Sequence, residues 1–163
     1  MSGLADRPNA AAVVWRCVAF DGLSVHGLYG LLRLRSEVFV VEQHCVFQDM
    51  DGLDPACLHL LGEAPGPSGE VVLLAAARLL PPGLAFAEAS IGRVVTAPST
   101  RGSGLGHGLV RESLRQMVAL WGEQPVRIGA QSHLEAFYRQ HGFVPDGRPY
   151  VEDGIPHIEM LRP

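Results

Sequence analysis

The sequence predicts an α/β protein with a mixed sheet, and two kinds of pattern carry that prediction. Short β-branched and aromatic runs, such as "VVWRCVAF" at residues 13–20, are bounded by turn residues and predict strands. Longer segments repeat apolar residues every three and four positions, which predicts amphipathic helices. Strands and helices alternate along 163 residues, a length typical of one domain. We therefore expect a single domain over residues 13–163 and a disordered tail over residues 1–12.

The predicted order is strand, helical segment, three strands, helix, strand, helix and two strands. Ser24 follows the first strand and is expected to cap a helix over residues 25–42. "CLHLLGEA" and "EVVLLAAARLL" predict a hairpin, and "SIGRVVTAP" predicts the next strand. A leucine-rich stripe predicts a helix over residues 104–121. The remaining predicted elements are the strand "PVRIGAQ", the helix "SHLEAFYRQHG" capped by Ser132, and strands near residues 143–151 and 155–161.

Composition excludes several classes of function. The chain is 47% hydrophobic and 18% charged, with a net charge of −4, so it lacks the basic face that nucleic-acid binding requires. Each of the 13 basic residues is Arg, which excludes a P-loop lysine and a lysine Schiff base. Nucleic acid is therefore not an expected partner. A membrane is not expected either, because no apolar run approaches 18 residues.

The cysteines and the beginning of the chain indicate the compartment. Cys17, Cys45 and Cys57 are an odd number without C-x-x-C spacing, so we expect neither disulfides nor a metal site. "DMDGLD" lacks the downstream Glu of a calcium loop. Free thiols suit a reducing compartment, and the first dozen residues lack the pattern of a signal peptide. We expect a cytoplasmic protein.

The glycine-rich stretch "RGSGLGHG", residues 101–108, lies between a predicted strand and a predicted helix. It fails the dinucleotide pattern G-x-G-x-x-G in both registers and fits R-x-x-G-x-G, with Arg101, Gly104 and Gly106 in the pattern positions. Such a turn presents backbone N–H groups at a helix N-terminus, where a pyrophosphate binds well. The alternative is a tight turn with no ligand.

The order "IGRVVTAP", "STRGSGLG", helix, strand and "LEAFYRQHGF" resembles the GNAT acetyltransferase superfamily. "LLRLRSEVFVVEQHCVFQDMDGLD", "GAQSHLEAFY" and "EDGIPHIEM" extend the resemblance to its ElaA-like branch, over nearly the whole chain. The resemblance implies one mixed, mostly antiparallel central sheet of about six to seven strands, flanked by about four helices.

The resemblance also implies a donor site for acetyl-CoA as co-substrate, with no metal. In the family a bulged strand offers its backbone to the pantetheine arm, and the glycine loop binds the pyrophosphate. Gln131 replaces the Asn found in many relatives. The expected donor-binding residues are Val94, Val95, Thr96, Arg101, Gly102, Ser103, Gly104, Leu105, Gly106, His107 and Gln131.

Tyr138 matches the family's general acid, which protonates the leaving thiolate, and a backbone N–H near Val95 is the expected oxyanion donor. A phenol with a pKa near 10 can supply that proton. Tyr138 also lies on an apolar helical stripe with Leu134 and Phe137, so the alternative is a core residue.

Charged residues on apolar patterns supply the acceptor-site candidates. Arg35 and Glu42 share the leucine face of the first helix, either as a buried ion pair or as part of the acceptor site. His157 and Glu159 share one face of the last strand, where a neutral imidazole can act as base. His59 is an expected inward-facing polar residue at the substrate. Direct nucleophilic catalysis by a cysteine lacks an evident base.

These observations favour an N-acetyltransferase that moves an acetyl group directly from acetyl-CoA to a primary amine. A non-catalytic acyl-CoA-binding or sensing module is the alternative, followed by a structural domain with an empty turn. A small molecule, a peptide N-terminus and a protein lysine all remain open as acceptors, and the sequence leaves a homodimer open.

Overall fold

The structure, a computed structural model, describes residues 13–163, so the tail expected over residues 1–12 lies outside it. Four antiparallel strands form the first sheet, in the order β1-β2-β3-β4. The predicted hairpin is confirmed, with β2 and β3 paired from Leu58 opposite Leu79 to Pro65 opposite Val71. The strands are β1 (Val14–Ala19), β2 (Leu58–Pro65), β3 (Val71–Leu80) and β4 (Ser90–Thr96).

A second four-stranded sheet is built around the last strand, which pairs with β5 on one side and with two short strands on the other. The strand expected over residues 143–151 is therefore broken in two. Gly147, with φ of 137°, and Pro149, which has no N–H to donate, interrupt it. The strands are β5 (Val126–Gln131), β6 (Val144–Pro145), β7 (Tyr150–Glu152) and β8 (Ile155–Arg162).

The expectation of one central sheet of six to seven strands is wrong, because β4 and β5 separate. The two strands run parallel and meet in one bridge between Ala89 and Val126, where the Arg127 N–H donates to the Ala89 carbonyl at 3.0 Å. The residues described include no further ladder between them. A bulge bends β4 at residues 92–95. Beyond the bridge, a cleft opens between the two strands towards their C-terminal ends.

The described chain has three α-helices rather than about four: α1 (Val25–Arg35), α2 (Leu105–Trp121) and α3 (Glu135–Arg139). The Ser24 hydroxyl accepts from the Gly27 N–H at 2.9 Å, which confirms the predicted cap. The segment over residues 25–42 stays continuous, since α1 passes into a π-helical stretch at Ser36–Glu42. The cap predicted at Ser132 is wrong, because a 3₁₀ turn at Ser132–Leu134 precedes α3.

The first sheet is buried on both faces. Leu60, Ala75 and Ala77 pack towards α2 in the larger core cluster, while Leu61 and Ala76 pack towards α1. Alternation along β2 and β3 sends successive side chains to opposite faces. No helix in residues 13–163 combines the length and the apolar character needed to cross a bilayer.

Candidate active site

The cleft between β4 and β5 exposes the backbone of one edge of β4. The Ala97 N–H donates to the Leu74 carbonyl of β3 at 2.7 Å. Along a strand of an antiparallel pair, successive N–H groups point alternately towards the partner strand and away from it. Val95, two residues earlier, therefore also turns its N–H towards β3. The same alternation directs the amides of Val94 and Thr96 to the cleft. Of the residues near Val95, where the sequence predicts an oxyanion donor, Val94 is the one whose N–H faces the cleft.

The glycine loop lies beside the end of this cleft and leads into α2. Gly102 and Gly104 have φ of 79° and 81°, which an L side chain rarely adopts. Among residues 13–163, the amides of Gly102, Gly104, Gly106 and His107 find no acceptor. Four unpaired N–H groups at the positive end of a 17-residue helix form a cradle for an anion.

The side chains of Ser103 and His107 and the N–H of Leu105 already have protein partners. The Ser103 hydroxyl donates to the Thr100 carbonyl and accepts from the Leu105 N–H. Leu105 is buried in the core. His107 Nδ1 lies 2.9 Å from His141 Nε2, and burial, then the charge of His107, lowers the pKa of His141. Ser103 and Leu105 therefore shape the cradle, and their neighbours supply its open amides.

The end of the π-helical stretch crosses the cleft. Glu42 forms an ion pair with Arg101, and both side chains are exposed, by 38% and 53%. Next to it, Gln43 exchanges amide hydrogen bonds of 3.3 and 3.4 Å with Gln131. Two residues expected to bind the donor, Arg101 and Gln131, are thus held by Glu42, an acceptor-side candidate, and by its neighbour Gln43. We call Glu42 and Gln43, with these two partners, the cross-cleft contacts.

Tyr138 lies on α3 with its ring packed edge-on against Phe137 and Phe143, at 5.0 and 5.9 Å between centroids. Burial raises its pKa to about 12, so the phenol stays protonated at any physiological pH. Within the described chain its hydroxyl has no hydrogen-bond partner, yet it is not sealed from solvent. The position therefore leaves a protonated donor available.

The face of the second sheet opposite the core carries the acceptor-side candidates. His157 stacks on Tyr150 at 5.4 Å between ring centroids, and its Nδ1 lies 2.7 Å from the Ile155 carbonyl. Because a carbonyl only accepts, Nδ1 carries the proton in the neutral ring and Nε2 keeps its lone pair. Nε2 lies 3.8 Å from the Glu152 carboxylate. Glu159 lies 3.4 Å from Arg127 on the same face.

Arg35 and His59 are buried, each about 1% exposed, and their polar atoms meet protein partners. The Arg35 guanidinium bonds Asp49 and Asp54 at 2.8 Å each, and His59 Nε2 lies 2.9 Å from the Asp54 carbonyl. Burial lowers the pKa of His59. Arg35 and Glu42 thus have different partners and do not form the ion pair considered from the sequence. Both side chains are thus held among protein partners in the interior.

Arg35 belongs to a closed cycle of alternating charges that the sequence did not reveal. Successive N···O distances around it run from 2.6 to 3.5 Å. The Arg78 bond holds the pKa of Asp51 well below its usual value. We call this cycle the Arg–Asp ring. Its members, in order, are Arg93, Asp49, Arg35, Asp54, Arg78 and Asp51.

The only sequence signal for the ring was "DMDGLD", three carboxylates with no calcium-loop spacing. Their partners come from α1, β3 and β4, between 14 and 44 residues away. In residues 13–163 no group of three or more His, Cys, Asp or Glu side chains is arranged to hold a metal ion.

Comparison with known proteins identifies the family. Over residues 83–162 the chain matches the acetyltransferase (GNAT) domain. Protein ElaA of Escherichia coli K12 is 41% identical over 152 residues, covering 92% of this chain and 96% of its own. This chain belongs to the GNAT acyltransferases. Its branch is the ElaA-like one, as predicted.

Other relatives extend the match in sequence and in structure. A UPF0039 protein of Mycobacterium tuberculosis H37Rv is 42% identical over 147 residues, covering 86% of this chain and 87% of its own. An acyl-CoA N-acyltransferase from Pseudomonas aeruginosa superposes with a TM-score of 0.84 at 43% identity, covering 93% and 99% of the two chains. The crystal structure of E. coli ElaA gives 0.82 at 40% identity, with the same coverage. The prediction of an acyltransferase enzyme is confirmed at the level of the family.

Proposed function

We propose that this GNAT protein transfers an acetyl group from acetyl-CoA to a primary amine. The observation that carries the proposal is the continuity between the β4–β5 cleft and the glycine loop. The open edge of β4 offers backbone groups of Val94 and Thr96 to an extended arm, and the unpaired amides of the loop follow at its end. An extended amide-bearing arm ending in a pyrophosphate matches this arrangement, as the GNAT family implies for CoA.

Residues beside the cleft fit the chemistry of acetyl transfer. The Val94 N–H can stabilise the oxyanion that forms when an amine attacks the thioester carbon. The Tyr138 hydroxyl can then donate its proton to the departing sulfur. Transfer from a phenol with a pKa near 12 is uphill to a solvated thiolate, but the same apolar surroundings also raise the pKa of the thiol.

The attacking amine must lose its proton, and two residues can accept it. His157 presents an unprotonated Nε2, provided that the ring stays neutral. Glu42 is the second candidate, and it also attracts an ammonium group once it leaves Arg101. The weakly acidic character of the chain suits a cationic amine, either a small molecule or a peptide.

The first experiment is an isothermal titration of the protein with acetyl-CoA, CoA, NAD and ATP. We expect acetyl-CoA and CoA to bind and the other two nucleotides not to bind. Arg101→Ala is expected to weaken the binding of acetyl-CoA by at least about tenfold, the lower bound for one hydrogen bond to a charged group. Arg139→Ala is the matched control, since Arg139 forms an equally exposed ion pair with Glu135.

An absence of acetyl-CoA binding would overturn the proposal. If acetyl-CoA binds, release of free CoA is measured with a panel of small primary amines and peptide N-termini. Binding without release by any amine would identify the non-catalytic acyl-CoA-binding module instead.

A further inference from the structure

Strand β4 is bulged at Arg93, and the backbone there is strained. Arg78 pairs with Gly92 and Ala76 with Val95, so two residues of β4 oppose the single residue between them in β3. One of the two, Arg93, has φ of 49°. This left-handed conformation is rare for a side chain as large as Arg, and it persists only where the surrounding structure holds it.

The Arg93 side chain supplies the restraint by binding the loop that follows the π-helical stretch. Its Nε donates to Asp49 Oδ1 at 2.8 Å, and its Nη2 donates to the Asp49 carbonyl at 2.9 Å. The guanidinium also lies over the Phe47 ring, 5.7 Å from its centroid. This two-point contact fixes the direction of the side chain as well as its charge.

Asp49 is itself immobilised. It is 9% exposed, and its second carboxylate oxygen accepts from Arg35 Nε at 2.8 Å. Arg35 in turn binds Asp54 through two hydrogen bonds. The bulge is therefore tied through the Arg–Asp ring to the end of α1.

Val94 is the second of the two bulge residues, and its amide faces the cleft. Because the extra residue rotates the backbone, the direction of this N–H depends on the conformation of Arg93. We propose that Arg93 is a positioning residue for acyl transfer, which by clamping the bulge to Asp49 aims the Val94 N–H at the thioester carbonyl oxygen. This inference rests on the proposed function, since it requires the donor to lie along β4.

A purely structural role for Arg93 makes a different prediction. In that case its loss would lower the stability of the fold but would leave a bound thioester polarised as before. A positioning role requires the polarisation of the carbonyl to change in molecules that are folded and loaded with donor. The two roles therefore separate in a spectroscopic measurement that needs no acceptor.

The experiment is an infrared measurement of acetyl-CoA labelled with ¹³C at the thioester carbonyl, bound to the wild-type protein and to three variants. Arg93→Gly removes the clamp and tolerates the positive φ, Arg93→Lys keeps the charge without the two-point contact, and Arg93→Ala removes the clamp and keeps the strain. Arg16→Gly is the control, since Arg16 contacts Glu63 on the far strands of the sheet.

In the wild-type protein the carbonyl frequency is expected to fall below that of free acetyl-CoA, because the Val94 N–H polarises the bond. Arg93→Gly and Arg93→Ala should lose most of this shift, and Arg93→Lys should keep part of it. Their dissociation constants for acetyl-CoA should change by less than about tenfold, the limit for one neutral hydrogen bond. The control should keep the wild-type frequency.

An unchanged frequency in Arg93→Gly with donor bound would overturn the positioning role and leave the proposed function intact. Retained binding shows at the same time that a variant is folded. A wild-type protein that does not bind acetyl-CoA would instead remove both proposals.

Discussion

Arginines and carboxylates meet in two regions of this protein, and the two groupings are built in opposite ways. In the Arg–Asp ring, Arg35 and Arg78 are 1% and 5% exposed, and each binds two carboxylates. In the cross-cleft contacts, the Arg101–Glu42 pair is open to water. A buried ring of alternating charges resists change, whereas an exposed pair can exchange partners at little cost. The ring stabilises the fold, and the exposed pair is the one that the proposed function requires to open for a ligand.

The largest expected effect comes from breaking the ring. Arg35→Met keeps the length of the side chain but leaves Asp49 and Asp54 each short of a cation in the interior. We expect a loss of about 3–5 kcal/mol in the free energy of unfolding, measured in urea. Arg101→Met, the exposed counterpart, should cost no more than about 1 kcal/mol. Equal losses in the two variants would refute the contrast between the regions.

Tyr138 combines burial, as in the Arg–Asp ring, with a hydroxyl that has no partner in the described chain, as the open amides of the glycine loop have none. If it is the general acid, Tyr138→Phe should lower turnover of an amine acceptor by about a hundredfold. Stability should change by less than about 1 kcal/mol, since the hydroxyl lacks a protein partner in the described chain. The measurement is release of free CoA beside the dissociation constant for acetyl-CoA.

Tyr29→Phe serves as its control, since Tyr29 is 72% exposed on α1. Turnover that survives the loss of the Tyr138 hydroxyl would assign this residue to the core alone.

The same contrast explains what the sequence could predict. The glycine turn over residues 101–107 could be predicted because its pattern is local: closely spaced glycines and one Arg before a helix suffice to define it. Its role as a donor site stays a prediction. The strands and helices were found for the same reason, since their periodicity is visible within ten to twenty residues. The cap at Ser24 depends on a residue three positions away, and it formed as expected.

Features that depend on distant pairs were missed. Arg35 and Glu42 were considered together because they share a helical face. In the structure Arg35 binds Asp49 and Asp54, whereas Glu42 binds Arg101. The separation of the sheets escaped prediction because strand patterns do not encode where a bulge bends β4 away from β5. Sequence periodicity specifies which face a residue occupies, and the tertiary structure decides what it meets there.

The smallest expected effect tests whether the exposed pair exchanges partners as we argue. If Arg101 binds the donor's pyrophosphate as proposed, Glu42 competes with it, and removing the charge of Glu42 should strengthen binding. We expect Glu42→Gln to bind CoA about two- to fivefold more tightly at low salt, the range of an exposed ion pair. S-acetylpantetheine, which has no pyrophosphate, should bind both proteins equally. Glu135→Gln, which breaks an equally exposed pair on α3, should leave both affinities unchanged. The gain in CoA affinity should fade at higher salt, because salt screens the ion pair. An equal gain for CoA and S-acetylpantetheine would place the effect of Glu42 outside the phosphate cradle.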